Sequence, residues 1–182
     1  MNQLLFIKTI GILNTLMLKG KINMIKAILA CDDEWGIGKY GDLPWPHNPA
    51  DLRWFKNNTL NSVVVMGKST WDSLPRKPLP NRKNLIVTTS KQEFGFGDYE
   101  FINFSDLEIK LSSTKDMNNI WIIGGAKLIS GLINFIEEFH LSRINGNFNC
   151  DTFLPSDLIK EKFTLSKTEV SDGVNFDIWC KK

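Results

Sequence analysis

Cysteine and histidine are scarce in this chain of 182 residues. Cys31, Cys150 and Cys180 are widely separated, odd in number and without Cys-X-X-Cys spacing, and His47 and His140 are the only histidines. A disulfide framework uses an even set of cysteines, and a structural zinc site uses several closely spaced Cys or His ligands. We therefore expect no disulfide framework and no metal site, and a reducing compartment, the cytoplasm.

A strong charge of either sign is also lacking. The formal net charge is +2, and residues 1–23 hold three lysines and no acid, so residues 24–182 carry −1. A segment with a net charge this close to zero gives no electrostatic reason to expect a nucleic-acid partner. The apolar fraction of 42% and charged fraction of 23% are those of a globular protein, and the length suits one domain.

Long apolar runs are absent as well. The apolar stretches of residues 1–23 are broken by Lys8, Thr9, Asn14 and Thr15, so a membrane crossing is not expected. No positive segment precedes them, and the segment lacks the arginine and serine of a transit peptide. We expect Met24 to be the functional start, with residues 1–23 an extension of uncertain status before a domain at 24–182.

From Met24 onward, apolar strand patterns alternate with helical ones. Strands are predicted at Ile25–Cys31, Ser62–Met66, Asn84–Thr89, Glu100–Phe104 and Asn119–Ile123, with a further run at Phe139–Asn145. Helices are predicted at Pro49–Leu60, Lys68–Leu74, Asp106–Ser112 and Ala126–Phe135, and long loops at Asp32–Asn48 and Pro75–Arg82. In the first helix Asn48 is the expected N-cap, and Leu52, Phe55 and Leu60 form the expected apolar side.

The end of the chain predicts a hairpin. Phe163–Val170 and Val174–Cys180 are separated by Ser171-Asp172-Gly173, and Asp-Gly between two strand patterns is a strong hairpin signal. The fold class is therefore α/β: a single domain with a mostly parallel central sheet, crossover helices and a C-terminal antiparallel hairpin.

Gly36-Ile37-Gly38-Lys39-Tyr40-Gly41 matches the Gly-X-Gly-X-X-Gly pattern of dinucleotide-binding domains. That pattern needs a helix to begin within it, because the pyrophosphate lies on the helix N-terminus. Two prolines, Pro44 and Pro46, follow instead and exclude a helix there. We interpret these glycines as bends in a loop. Gly124-Gly125, between a strand and a helix, is a better phosphate candidate, although a tight turn explains it equally well.

Asp51 is the most informative single residue. It lies one turn into the first predicted helix, with Trp54 and Phe55 on the same side at i+3 and i+4. One interpretation is an ordinary first-turn acid favoured by the helix dipole. The other is a carboxylate in a dry pocket, which can form two parallel hydrogen bonds with a 2-amino-heterocycle and whose pKa is raised towards the range of proton transfer.

Taken together, several motifs resemble those of dihydrofolate reductases across residues 24–182. They are Gly36-Ile37-Gly38 leading to Leu43-Pro44-Trp45, Pro49-Ala50-Asp51-Leu52, Met66-Gly67-Lys68-Ser69-Thr70-Trp71, Pro78-Leu79-Pro80-Asn81-Arg82, Ile122-Ile123-Gly124-Gly125 and Asp151-Thr152. The resemblance implies a monomeric enzyme that reduces dihydrofolate to tetrahydrofolate with NADPH, supports one-carbon metabolism and thymidylate synthesis, and is a target for antifolates.

The resemblance also implies residue roles around the substrate. Asp51 binds the pterin edge and promotes protonation at N5, Ser142 hydrogen-bonds this acid, and Trp45 holds a water near the substrate. Arg82 pairs with the α-carboxylate of the glutamate tail, a task that suits its planar fork. The pocket wall is formed by Ile28, Leu52, Phe55, Leu74, Leu79 and Ile123.

For NADPH, the resemblance places the pyrophosphate at Gly124, Gly125 and Ala126, with Thr70 adding a hydroxyl. Lys68, Ser69 and Thr89 match positions around the 2′-phosphate, and Lys127 adds a cation. The loop Asp32–Trp45 is the lid over the nicotinamide. The remaining positions implied to contact the cofactor are Ala30, Ile37, Gly38, Leu43, Gly67, Thr88 and Leu128.

Some positions depart from the family pattern. One residue is inserted within Pro46-His47-Asn48, and Lys77 widens the turn before Pro78. Ala126 replaces a glycine, Ile129 replaces a tyrosine, and Cys150 stands where glycine often supports lid closure. Two alternatives remain: a reductase of another nitrogen heterocycle, such as a pyrimidine intermediate of flavin synthesis, and a non-catalytic folate- or nucleotide-binding component that docks through its extension.

Overall fold

The computed structural model describes residues 24–90, 95–113 and 119–182, so the expectations for residues 1–23 lie outside it. Its strands are β1 (Ile25–Cys31), β2 (Gly36–Gly38), β3 (Val63–Gly67), β4 (Lys83–Val87), β5 (Tyr99–Ile102), β6 (Ile120–Ile122), β7 (Glu138–Arg143), β8 (Thr152–Phe153), β9 (Phe163–Ser171) and β10 (Val174–Lys181). Its helices are α1 (Pro49–Thr59), α2 (Lys68–Ser73), α3 (Phe104–Ser112), α4 (Ala126–Leu132) and α5 (Ser156–Lys162). No helix among them is long and apolar enough to cross a membrane.

Eight strands form one sheet in the order β5-β4-β3-β6-β1-β7-β10-β9. Every pair from β5 to β7 is parallel, whereas β10 runs antiparallel to both β7 and β9. The chain starts in the middle at β1, moves outward through β3, β4 and β5, and returns to insert β6 between β3 and β1. This reversal leaves a crevice at the carboxyl ends of the central strands, where ligands bind in open α/β sheets.

The two faces of the sheet are covered by different helices. Val63 and Val65 point to one face, where they share a buried cluster with Leu107 of α3 and Leu128 of α4. Val64 points to the other face, in a second buried cluster against which residues of α1 pack. This alternation is the period of two expected for a strand buried on both sides.

The predicted fold class is confirmed, including the hairpin. β9 and β10 pair antiparallel around the predicted turn, where Asp172 and Gly173 have φ of 51° and 77°. Two consecutive positive φ values are those of a type I′ turn, which suits Asp-Gly. The predicted bounds of β1 match, and most other elements differ by one to three residues at an end.

Several elements were missed or misassigned. The loop Asp32–Asn48 contains β2, which pairs with β8, and neither strand was predicted. Helix α5 was also missed, and α4 ends at Leu132 instead of continuing to Phe135. In α1 the apolar side was misassigned, because Leu52 and Leu60 are 42% and 39% exposed. The residues that α1 buries are Ala50, Asp51 and Thr59.

Candidate active site

Helix α1 begins where the sequence predicts and carries Asp51 in its first turn. The Asn48 side chain accepts hydrogen bonds from the backbone N–H groups of Ala50 and Asp51, both at 3.1 Å, and Pro49 follows the cap. Asp51 is only 9% exposed. Burial raises the pKa of its carboxyl above the ordinary value, and the nearby Ser142 hydroxyl lowers it to a smaller extent. An acid in the first turn of a helix is ordinary, but a buried one is not.

Ser142 approaches this acid from the sheet. It lies on β7 between Ala30 of β1 and Phe176 of β10, and it is fully buried. Its Oγ makes no hydrogen bond at ordinary distance within the described ranges of the chain. The hydroxyl is therefore a dipole beside Asp51 that retains hydrogen-bonding capacity.

Two tryptophans stand on either side of Asp51 in the chain. Trp45 is 7% exposed and packs with Ala50 and Phe176, with its ring edge-to-face to Phe148 at 5.8 Å. Trp54 stacks on Phe176 at 4.5 Å. Its Nε1 is buried without a partner among the residues described. Both rings therefore pack in the buried cluster that contains Ala50, the residue before Asp51.

The apolar residues predicted to wall the substrate pocket are mostly gathered in one place. Ile28 and Ile123 belong to the second buried cluster, and Phe55, Leu74 and Leu79 pack against its edge, half exposed. Leu52 is 42% exposed and does not belong to this cluster. A half-exposed apolar rim beside a buried carboxyl is the composition of a small-molecule site.

Arg82 is a buried cation without a carboxylate partner among the described residues. It is 7% exposed, and no ion pair joins it to any described residue. Burial lowers the pKa of its guanidinium from the usual value, which still leaves it protonated near neutral pH. Buried charges are normally paired. Arg82 is therefore a candidate receptor for an anion.

Thr59 was not among the predicted site residues. It is fully buried, and its Oγ1 accepts a hydrogen bond at 2.9 Å from Nε of Arg82. Asp51, Phe55 and Thr59 follow one another at intervals of four along α1, so they lie in one row on the helix. This spacing of four, which ends in a polar residue, is the sequence pattern that could have identified Thr59 as a site residue.

Gly124 and Gly125 join β6 to α4 and lie beside the end of β3. The N–H of Gly67 donates to the Gly124 carbonyl at 2.8 Å. Gly124 has a φ of 115°, which favours glycine. A Cβ on either glycine would lie 3.6 Å from Thr70 Oγ1. Gly67 and Gly125 are the N-cap residues of α2 and α4, and neither helix has a side-chain cap. The N-terminus of a helix favours an anion.

The residues predicted around the 2′-phosphate follow the carboxyl ends of β3 and β4. Lys68 holds Asp72 in an ion pair at 2.7 Å, and Ser69 is exposed beside it. Thr88 and Thr89 line a cavity of about 500 Å³ that is also lined by Asp106.

The remaining cofactor positions differ in exposure. Lys127 and Leu43 are exposed, Leu128 is buried, and Ala30, Ile37, Gly38 and Ala126 are half-buried. Ile129, one of the departures, lies wholly in the core on the α3–α4 side of the sheet.

The predicted lid is hydrogen-bonded to residues 148–151 at its start and at its tip. Asp32 is buried and accepts from the N–H groups of Gly36 at 2.7 Å and Phe148 at 3.2 Å and from the Cys150 thiol at 3.3 Å. The backbone hydrogen bonds hold the pKa of Asp32 below its ordinary value despite burial. At the loop tip, Asp151 accepts from the N–H of Tyr40 at 2.7 Å. In the described residues, no cluster of three or more His, Cys, Asp or Glu is placed to hold a metal ion.

Comparisons with known proteins agree on one family. A family model described as dihydrofolate reductase matches residues 24–176. The viral dihydrofolate reductase of Saimiriine herpesvirus 2 is 32% identical over 84% of this chain and 82% of its own length. The Bacillus subtilis dihydrofolate reductase is 37% identical over 72% of this chain and 76% of its own length. The structure of Enterococcus faecalis dihydrofolate reductase with NADP(H) and RAB-propyl has a TM-score of 0.75 and 26% identity, covering 87% of this chain and 96% of that one.

Proposed function

The chain belongs to the dihydrofolate reductase family, and we propose that it reduces 7,8-dihydrofolate to 5,6,7,8-tetrahydrofolate with NADPH. The observation that carries the proposal is the row along α1. A buried acid at Asp51 is followed by the Phe55 ring and then by Thr59, which holds the buried cation Arg82.

The row has the same order as the parts of the substrate. Asp51 and Thr59 are about 12 Å apart along the helix at 1.5 Å per residue. Dihydrofolate presents a flat nitrogen-rich ring, then an aromatic linker, then a glutamate carboxylate. Asp51 receives the ring, Phe55 with Leu74 and Leu79 receives the linker, and Arg82 receives the carboxylate.

Asp51 supplies the proton chemistry. Its two oxygens accept parallel hydrogen bonds from the N3 and 2-amino edge of the pterin. The reaction adds a hydride to C6 and a proton to N5, which turns the C=N bond into a CH–NH bond. Because burial raises the pKa of Asp51, this group polarises the ring and supports protonation closer to neutral pH than an exposed aspartate does. A water near Trp45 carries the proton to N5.

The cofactor fits the turn at Gly67, Gly124 and Gly125. The uncapped starts of α2 and α4 and the Thr70 hydroxyl receive the pyrophosphate, and side chains at either glycine would narrow this cradle. Lys68, Ser69 and Thr89 receive the 2′-phosphate. When bound, NADPH supplies the hydride.

The loop between β1 and α1 excludes water from the reacting atoms. Its β2 segment pairs with β8, and Asp32 and Asp151 hold the two ends of that pairing. Closure over the nicotinamide and release of product then set the turnover rate. The enzyme acts as a cytoplasmic monomer that supplies tetrahydrofolate for one-carbon metabolism and thymidylate synthesis, and it binds antifolates at Asp51.

The test is the loss of NADPH absorbance in the near ultraviolet with and without dihydrofolate. The proposal expects oxidation that requires dihydrofolate and yields tetrahydrofolate. Oxidation with a pyrimidine substrate alone would identify a different heterocycle reductase. NADPH binding without any oxidation would identify a non-catalytic binding protein, and either result would overturn the proposal.

A further inference from the structure

An ion pair runs along the surface of α2. Nζ of Lys68 donates to both carboxylate oxygens of Asp72, at 2.7 and 2.8 Å. The two residues are four positions apart, so their side chains lie on the same side of the helix. Lys68 is the first residue of α2 and Asp72 the fifth. The contact therefore draws the ammonium group away from the start of the helix, towards its carboxyl end.

This ion pair is of a kind that exchanges partners easily. The side chains of Lys68 and Asp72 are 35% and 55% exposed, and exposed pairs of this spacing are weak and screened by salt. A lysine that precedes its acid is in the less favourable order, because the cation then lies near the positive end of the helix. The lysine can therefore move to another anion at a small cost in free energy.

The residues proposed for the 2′-phosphate lie on the other side of Lys68 from this acid. Gly67 and Val87 are opposite each other at the carboxyl ends of the parallel strands β3 and β4. Ser69 and Thr89 each follow that pair by two residues, and both are exposed. Lys68 is next to Ser69 in the chain, but its ammonium is held one turn further along the helix. To meet the phosphate, the flexible lysine stem has to turn back.

We propose that Asp72 is a positioning residue that limits the preference for NADPH over NADH, because its carboxylate competes with the 2′-phosphate for Lys68. This rests on the proposed function, since it takes Lys68 as a cation for that phosphate. NADH lacks the phosphate, so its binding does not depend on where the Lys68 ammonium lies. Asp72 therefore affects the discrimination between the two cofactors and leaves hydride transfer alone.

The experiment compares the Kd values of NADPH and NADH, measured by quenching of tryptophan fluorescence at low and high salt. Asp72→Asn removes the charge and keeps the shape, whereas Asp72→Glu keeps the charge. Lys68→Gln, alone and combined with Asp72→Asn, shows whether the effect of the acid passes through the lysine. Asp157→Asn, at an exposed aspartate in the first turn of α5, controls for the loss of one negative charge elsewhere.

Asp72→Asn is expected to lower the Kd for NADPH about threefold at low salt, the gain when an exposed ion pair no longer competes. The Kd for NADH stays that of wild type, so the ratio of the NADH Kd to the NADPH Kd rises by the same factor. High salt reduces this rise. The ratio stays at the wild-type level in Asp72→Glu and Asp157→Asn. In the Lys68→Gln background, Asp72→Asn raises the ratio no further.

An equal change in Kd for both cofactors would overturn the proposal, because Asp72 would then act on the fold and not on the phosphate. A rise in the ratio that persists in the Lys68→Gln background would also overturn it, since the acid would then repel the phosphate directly. A wild-type protein that binds neither cofactor removes the proposed function itself. A wild type that prefers NADPH, with an unchanged ratio in Asp72→Asn, removes only the role of Asp72.

Discussion

At the scale of single residues, the site lowers the stability of the ligand-free folded protein. Asp51 is buried without a cationic partner among the described residues, and Arg82 is buried without an anionic one. Ionised groups in such positions reduce stability until a ligand pairs them. Functional sites often lower the stability of the folded protein, because the groups that activity requires are not those that stabilise the fold best.

Asp51→Asn should therefore make the ligand-free protein more stable near neutral pH. Because the pKa of Asp51 is raised in the folded state, wild-type stability falls as pH rises from the ordinary aspartate value through the raised one. The Asn variant does not ionise and keeps its stability. Thermal unfolding should show a gain of a few degrees at neutral pH that disappears below the ordinary aspartate pKa. A variant less stable at every pH would contradict the burial argument.

Cys31 should be the least reactive thiol of the three. It is fully buried, and burial raises the pKa of its thiol to about 11, although Arg143 beside it acts in the opposite direction. Thiolate is the reactive form. Alkylation of the native protein followed by peptide mass analysis should label Cys180 well before Cys31, and label Cys31 fully only after unfolding. Equal labelling rates would show that the core around Cys31 opens readily.

At the scale of elements, the loop proposed as the lid depends on one tight contact. A Cβ at Gly36 would lie 2.4 Å from the Cys150 sulfur and 2.5 Å from the Cys150 Cβ. Gly36 belongs to β2, and Cys150 precedes β8. Glycine at 36 is therefore required by the side chain at 150.

Gly36→Ala should separate β2 from β8 and slow hydride transfer about tenfold or more, because the lid no longer closes. Cys150→Gly should restore the rate in the Gly36→Ala background, whereas Cys150→Ala should not, since its Cβ still clashes. Gly38→Ala, where the nearest atom is at 3.5 Å, is the control for adding a methyl group to β2. Pre-steady-state kinetics measures the effect, and a rescue by Cys150→Ala equal to that by Cys150→Gly would contradict the steric explanation.

Long, strongly patterned elements were predictable from the sequence, and short ones were not. β1 and the hairpin follow from apolar alternation and Asp-Gly turn chemistry, and α1 follows from Asn48 and Pro49. β2 and β8 have three and two residues, so they exist only because the chain brings them together. The exposed Leu52 shows the same limit, since periodicity cannot distinguish a core-facing side from the edge of a cleft.

At the scale of the whole molecule, the strand order creates the site. The insertion of β6 between β3 and β1 brings Gly67 beside Gly124. The motifs predicted both residues for the cofactor but not the hydrogen bond that joins them. The lack of an ion pair between Arg82 and any described residue, and its hydrogen bond to Thr59, could not be predicted, because both depend on which side chains the fold brings together. Motif order predicted the candidate site residues, and only the packing showed which of them lack ionic partners among the described residues.

NADPH should stabilise the whole domain. A ligand at 100 times its Kd adds about 2.7 kcal/mol, or about 5–10 °C in Tm for a protein of this size. NADH should produce a smaller shift, because Lys68, Ser69 and Thr89 then lack the 2′-phosphate. Thermal unfolding at matched concentrations measures both. Equal shifts would show that these three residues do not select the cofactor.

The most direct test of the central claim is single-turnover hydride transfer in Asp51→Asn, started with NADPH already bound. The account predicts NADPH binding like that of wild type and a hydride-transfer rate at neutral pH lower by about 100-fold or more, the usual contribution of a positioned acid. A variant that transfers hydride to dihydrofolate at the wild-type rate would contradict the assignment of Asp51 as the group on which the reaction depends.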